Sequence, residues 1–230
     1  MLLHVDAILF DIDGTLVDST AAVTRTWRTW AGAHGFDAEE ILRVCHGRRS
    51  EDTIADLLPA EHRAAAVIEL EQMELADLGD VIALPATQRL LPLLPAHRWA
   101  AVTSGSRRLM LARLAAAGLP TPEVLVSAED VAVGKPDPQG YLLAAATLSL
   151  DIRRCLVVED APAGIRAGRA AGAQVLAVAT SHPAAELSAA DQVIADLTAC
   201  RVESTAEGLV VRTTDQADEA HRPPTGLTAR

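Results

Sequence analysis

A short apolar run, Val5-Asp6-Ala7-Ile8-Leu9-Phe10, opens directly into Asp11-Ile12-Asp13-Gly14-Thr15. The run has the length and composition of a buried strand, and open α/β sheets bind their ligands just beyond the carboxyl ends of such strands. A spacing of two puts the Asp11 and Asp13 carboxylates on one side while the chain is still extended. Gly14 then allows a sharp turn. Two acids at one strand mouth repel each other, so a cation or a shared proton has to hold them. The alternative is a pair of solvated turn aspartates, which Asp-Gly-Thr also suits.

The elements that follow alternate. Strand-like runs recur at 99–103, 124–127, 155–158 and 174–179, with shorter ones near 192–194 and 209–211. Between them lie helical segments at 85–94, 107–117, 138–148 and 162–171. Gly118 and Gly172 close two of these, and prolines open three. Strand, helix, strand with short connections predicts a parallel sheet wrapped on both faces. One block departs from this pattern. Residues 18–84 read as helices alone (19–34, 38–44, 51–58 and 61–78), a stretch too long for a crossover and therefore an insert after the first strand. The expected fold class is thus α/β, a doubly wound parallel sheet with a Rossmann-like core carrying an inserted helical domain. The expected division is 1–17 and 85–212 for the core, 18–84 for the insert, and a polar, disordered tail at 213–230.

Half the residues are apolar but only 3% are aromatic, so the core has to be built from Ala, Leu, Val and Ile. The net charge of −11 comes with no basic stripe, which argues against nucleic acid and against an anionic membrane surface as partners. Cys45, Cys155 and Cys200 are far apart and show no zinc or disulfide spacing. Cys155 opens an apolar run and reads as a small core residue. No signal peptide and no membrane span is evident, so the expected location is the cytosol.

The strand ends can now be compared. The strand at 99–102 delivers Thr103-Ser104-Gly105, and the one at 155–158 delivers Glu159-Asp160. Lys135, in Gly134-Lys135-Pro136, precedes a helix start. It is the sole lysine, and the other nineteen of the 20 basic residues are arginines. A compact ammonium at this one place suits a site that a planar guanidinium cannot serve, such as a phosphoryl group beside a metal. Each feature has a plainer reading. Thr103-Ser104 and Glu159-Asp160 could cap the helices that follow, and Lys135 could be a solvated loop residue. Together they converge on the carboxyl edge of one sheet.

These four strings resemble the signatures of the haloacid dehalogenase-like hydrolases: Asp11-Ile-Asp13-Gly14-Thr15, Thr103-Ser104-Gly105, Gly134-Lys135-Pro136, and Glu159-Asp160-Ala-Pro-Ala-Gly164-Ile. The resemblance spans residues 5 to about 200. It is strongest for the sugar- and polyol-phosphate phosphatases, glycerol phosphate phosphatases included. It implies that the insert is a mobile four-helix cap and that the reaction passes through an aspartyl-phosphate. Asp11 is implied as nucleophile and Asp13 as acid and base. Thr103, Ser104 and Gly105 are implied as phosphate binders, and Lys135 as the bridge between Asp11 and phosphate. It also implies Mg²⁺, held by Asp11, the Asp13 carbonyl and Asp160, with Glu159 holding a metal-bound water. The expected partner is a small phosphate-ester substrate, with no nucleic acid and no membrane, and the chain is expected to be a monomer or weak homodimer.

Within the resembled family, dehalogenase-type members lack the second acid and phosphonatase-type members use a cap lysine, so the resemblance implies, from Asp13 and a lysine-free cap, an oxygen leaving group and no Schiff-base chemistry in its usual form. A β-phosphoglucomutase-like transferase would share all four signatures. Mutases of this type carry a cap Arg directly before Glu-Asp, where this chain has Ser50. A catalytically silent binding protein on the same fold is the third reading, although every catalytic position is filled. In the cap, His46, Gly47, Arg48 and Arg49 lie between two helices and are expected to reach the substrate, unless they only cap the following helix. Trp27 and Trp30 read as cap core. Leu84-Pro85-Ala86 falls at the return hinge, where the resembling proteins often have Pro-Gly, and Ala86 is expected to stiffen it.

Overall fold

The fold follows from a period-two pattern with apolar residues on both faces of the strands. In the computed structural model, which describes residues 1–214, the first apolar run divides at Asp6 into β1 (Leu2–Val5) and β2 (Ala7–Phe10). In β2 the side chains of Ile8 and Phe10 enter one apolar cluster, and those of Ala7 and Leu9 enter the other. A strand buried on both faces belongs in the middle of a parallel sheet.

After a short β3 (Val17–Asp18) come four helices: α1 (Thr20–His34), α2 (Ala38–Cys45), α3 (Ser50–Leu57) and α4 (Ala60–Ala76). They enclose their own cluster, in which Trp27 and Trp30 meet edge to face at 5.6 Å, with Ile41, Ile54 and Leu70 around them. The chain returns through β4 (Ile82–Ala83), which pairs antiparallel with β3, so entry and exit of the helical block are tied side by side. The helix expected at 85–94 is shorter than its composition suggests. Only α5 (Thr87–Leu90) is α-helical, followed by a 3₁₀ turn at Leu91–Leu93. Ala86 at its start has φ +71°, a left-handed conformation that suits glycine.

The remaining order is β5 (Trp99–Val102), α6 (Arg107–Ala116), β6 (Leu125–Val126), α7 (Gln139–Thr147), β7 (Cys155–Glu159), α8 (Pro162–Ala171), β8 (Gln174–Val178), β9 (Gln192–Ile194), β10 (Cys200–Ser204) and β11 (Leu209–Thr213). Six strands form one parallel sheet in the order β6-β5-β2-β7-β8-β9. The chain builds outward from β2 to β5 and β6, then recrosses to β7. The strand order therefore reverses at β2, and that reversal opens a crevice at the carboxyl ends of β5, β2 and β7.

Two features lie outside the periodicity. β1 leaves the parallel sheet and joins an antiparallel one, ordered β1-β11-β10. Thr213, expected to start a disordered tail, is the last residue of β11 and donates its N–H to the Met1 carbonyl. The rest of that tail, 215–230, lies outside the described residues. All three cysteines are free and buried. Among the described residues no helix is long and apolar enough to cross a membrane.

Candidate active site

Asp11 follows β2 directly, and its backbone N–H donates to the Val158 carbonyl of the neighbouring strand (3.0 Å). That pairing sets Asp11 beside Glu159, the last residue of β7, and Asp160. The three carboxylates lie within 4.8 Å of one another and all three residues are buried. Such a cluster is unstable without a cation, and the cation present is Lys135. Its Nζ donates to Asp11 Oδ1 (2.5 Å), to Glu159 Oε1 (2.6 Å) and to the Val102 carbonyl (3.2 Å). The Tyr141 hydroxyl, from α7, also donates to Glu159 Oε1 (2.6 Å).

Two glycines make room for this arrangement. Gly14, at φ +79°, lies where any Cβ would strike the Asp160 carboxylate, and a Cβ on Gly164 in α8 would strike that of Glu159. Asp160 is held further by the Ser181 hydroxyl, which follows β8 at the same sheet edge and contacts Oδ2 and the main-chain carbonyl.

One ammonium does not neutralise three buried carboxylates. Burial pushes the Asp11 carboxyl well above its usual range, against the pull of Lys135. Burial and the neighbouring Glu159 carry the Asp160 carboxyl to about 7. Burial disfavours the Lys135 ammonium, but Asp11 and Glu159 more than offset this and raise its pKa. The surplus of hard oxygen donors fits one divalent cation.

Other expected site residues meet at the same mouth. Thr103, Ser104 and Gly105 follow β5 and line a cleft shared with Asp11, Asp13 and Asp160. The Gly105 N–H donates to Thr103 Oγ1 (3.1 Å). From the helical side, His46, Gly47 and Arg48 line the same cleft. The Ser104 hydroxyl donates to the Gly47 carbonyl (2.9 Å), which seats that loop on the sheet edge. Arg49 lies apart from this cleft. Its guanidinium is forked onto Asp52 (2.8 and 2.9 Å), with further contacts to the carbonyls of Val131 and Ala132.

Asp13 is held on both oxygens. The Ser19 hydroxyl donates to Oδ1 (2.7 Å) and Arg113 Nη1 to Oδ2 (2.7 Å). Arg113 comes from α6, and its Nη2 donates to Glu74 Oε1 of α4 (2.9 Å). Sequence reasoning did not single out Arg113 or Glu74, yet a signal existed. In α6 the buried positions are Leu109, Met110, Arg113 and Leu114, and in α4 they are Ala66, Leu70 and Glu74. A charged residue within a helix's apolar stripe needs a partner in the interior. Tyr141, the single tyrosine, and Ser181 were missed as well. Ser181 was accessible to the strand-mouth argument already applied to Glu159.

This chain is similar to known proteins. The profile of the haloacid dehalogenase-like hydrolases matches residues 5–172. Hexitol phosphatase A of Escherichia coli strain K12 is 42% identical over 208 residues, covering 88% of this chain and 96% of that protein. Glycerol-1-phosphate phosphohydrolase 2 of Saccharomyces cerevisiae is 36% identical over 191 residues, covering 78% and 76%. Among solved structures, a hydrolase from Pseudomonas syringae superposes with a TM-score of 0.76 at 27% identity, covering 83% of this chain and 94% of that one.

Proposed function

This chain belongs to the haloacid dehalogenase-like hydrolases, and on that premise we propose that it is a Mg²⁺-dependent phosphatase of small phosphorylated polyols and sugars. The observation that carries this reading is Asp11, at the mouth of β2, joined by Lys135 to Glu159 beside Asp160.

In this reading an Asp11 oxygen attacks phosphorus and forms an aspartyl-phosphate. The bond from phosphorus to the ester oxygen breaks, the electron pair leaves on that oxygen, and Asp13 delivers the proton it takes up. Water then attacks the aspartyl-phosphate and gives a proton back to Asp13. Inorganic phosphate leaves and Asp11 is restored. Two anions have to meet in the first step. At about 4 Å they repel by about 4 kcal/mol at an effective dielectric constant near 20. Lys135 offsets part of this, and Thr103 and Ser104 supply donors for the phosphoryl oxygens. Asp11, Asp160 and the main-chain carbonyl of Asp13 would hold Mg²⁺, with Glu159 beside them to hold a metal-bound water, and the ion would supply the remaining positive charge and orient the phosphoryl group.

The helices of residues 18–84 form the lid in this reading. They meet the sheet edge through Gly47 and offer His46 to the leaving group, while Arg48, which also lines the cleft, is ion-paired to Asp56 (2.9 Å) and Arg49 braces the loop. A closed lid suits a compact ester.

The test is phosphate release with and without Mg²⁺ from glycerol 1-phosphate, hexitol phosphates and hexose phosphates, with Asp11→Asn as control. Mg²⁺-dependent release that the control lacks supports the reading. Conversion of β-glucose 1-phosphate to the 6-phosphate without phosphate release would replace it with a mutase, and silence on every ester would overturn it.

A further inference from the structure

Chemistry outside the strand ends concentrates on one buried arginine. The Arg113 side chain is 4% exposed and lies between two carboxylates from different parts of the fold. Asp13 belongs to the loop after β2, and Glu74, 8% exposed, belongs to α4 of the helical block. Its third nitrogen, Nε, is buried without a partner among the described residues, so the two terminal nitrogens place the side chain. The guanidinium serves here as a two-pronged connector, which a lysine could not reproduce with the same directions.

Three observations give this connector a role. The two donors on Asp13 sit on different oxygens, which confines the carboxylate to one orientation. Ser19 and Glu74 belong to opposite ends of the helical block, just before α1 and within the last turns of α4, while Arg113 belongs to the sheet side. Finally, a buried carboxylate is expensive unless it is paired. Glu74 can stay buried only while α4 rests on α6.

We propose that Arg113 is a positioning residue for Asp13, and that its second prong on Glu74 ties that position to the seating of the helical block on the sheet. When the block is seated, Glu74 and Asp13 hold Arg113 from both sides, and Asp13 faces the cleft in a defined pose. When the block lifts, Glu74 goes with it, and the arginine loses the contact that aligned it. This inference rests on the phosphatase reading, because it assigns Asp13 a proton-transfer task.

An alkyl phosphate uses Asp13 twice, first to protonate the leaving alkoxide and then to activate water. Acetyl phosphate uses it once, because acetate leaves without a proton. The experiment compares kcat and KM for glycerol 1-phosphate and acetyl phosphate, with Mg²⁺, in the wild-type chain, Arg113→Met, Arg113→Lys, Glu74→Gln and the Arg113→Met/Glu74→Gln double variant. Arg113→Met is expected to lower kcat/KM on the alkyl ester by about 100-fold, and by at least tenfold less on acetyl phosphate, because kcat/KM reports the phosphorylation step and not the hydrolysis the two share. Arg113→Lys should recover only part of the loss. Glu74→Gln should lower alkyl-ester kcat/KM by about tenfold. The double variant should be no worse than Arg113→Met alone, the signature of one coupled unit.

Equal losses on the two substrates, or additive losses in the double variant, would overturn the inference. If Arg113→Met fails to fold, Glu74→Gln decides alone, since an unchanged alkyl-to-acetyl ratio in that variant also overturns it. A wild-type chain that hydrolyses neither substrate would instead remove the phosphatase reading itself.

Discussion

The sheet edge and the helical block contribute chemistry in opposite ways. At the sheet edge, Asp11, Thr103 and Glu159-Asp160 sit where strands end, and strand register sets their separations: Phe10 pairs with Val158 and with Ala101. In the helical block, Glu74 sits within a helix's apolar stripe, and His46 to Arg48 sit in a loop. Strand ends are positioned by many backbone hydrogen bonds. The block reaches the sheet side through a two-stranded ribbon, the Ser104–Gly47 hydrogen bond, the Arg49 contacts and the Arg113–Glu74 pair. The first region is built to keep a geometry, whereas the second is attached in a way that allows it to change one.

The sharpest challenge to this contrast is Asp11→Asn. Turnover is expected to fall by at least about 1,000-fold. Stability should hold or rise, because a carboxyl that burial pushes well above its usual range becomes neutral. Steady-state kinetics beside a thermal melt checks both. Appreciable turnover in that variant would remove the nucleophile assignment.

Next in size is Lys135→Met, which leaves three buried carboxylates without their ammonium. A loss of about 3–5 kcal/mol is expected from urea unfolding without metal. An unchanged midpoint would mean that the sheet edge tolerates its charge without Lys135.

The corresponding stroke against the helical block is Trp30→Ala. Trp30 is fully buried among Trp27, Phe36 and His34, so a cost of about 3–5 kcal/mol is expected. If only the block carries specificity, KM for glycerol 1-phosphate should suffer more than turnover of acetyl phosphate. Equal damage to both would erase the contrast.

A smaller effect separates the regions by pH. The Asp160 carboxyl is raised from 3.8 to about 7 by burial and Glu159. A raised acid stabilises the metal-free fold fully below its unfolded pKa, and that contribution is lost as pH climbs through about 7. A divalent ion offsets the loss, so the gain in Tm on adding Mg²⁺ should be larger at about pH 8 than at about pH 5. Melts across that range test this, and a pH-independent gain would contradict it.

The smallest effect belongs to the join between the regions. Ala86→Gly places glycine at a left-handed position and should stabilise the fold by up to about 1 kcal/mol. It would also show whether Ala86 stiffens the return from the helical block, through the Mg²⁺-dependent kcat. A destabilised variant would mean that Ala86 packs better than its backbone strain costs.

Much of this protein was legible in its residues. The two-faced apolar runs at Ala7–Phe10 and Cys155–Glu159 called for a parallel sheet, because only a doubly covered strand buries consecutive apolar side chains. The acids after those runs then had to sit at one edge, and Lys135 stood out by composition alone. The limits of α8 followed from Pro162 at its start and Gly172 at its end. Tertiary structure decided the rest. It sent β1 into a separate antiparallel sheet, since a four-residue strand carries no mark of its partner. It gave each of the adjacent arginines Arg48 and Arg49 a carboxylate of α3, Asp56 for the first and Asp52 for the second. It also brought Arg113 to Asp13 across 100 positions, and Glu74 to Arg113 across 39. A periodic pattern is local and reports which face of an element is buried. Which polar group meets another inside that interior depends on how whole elements dock, and that is settled only when they pack.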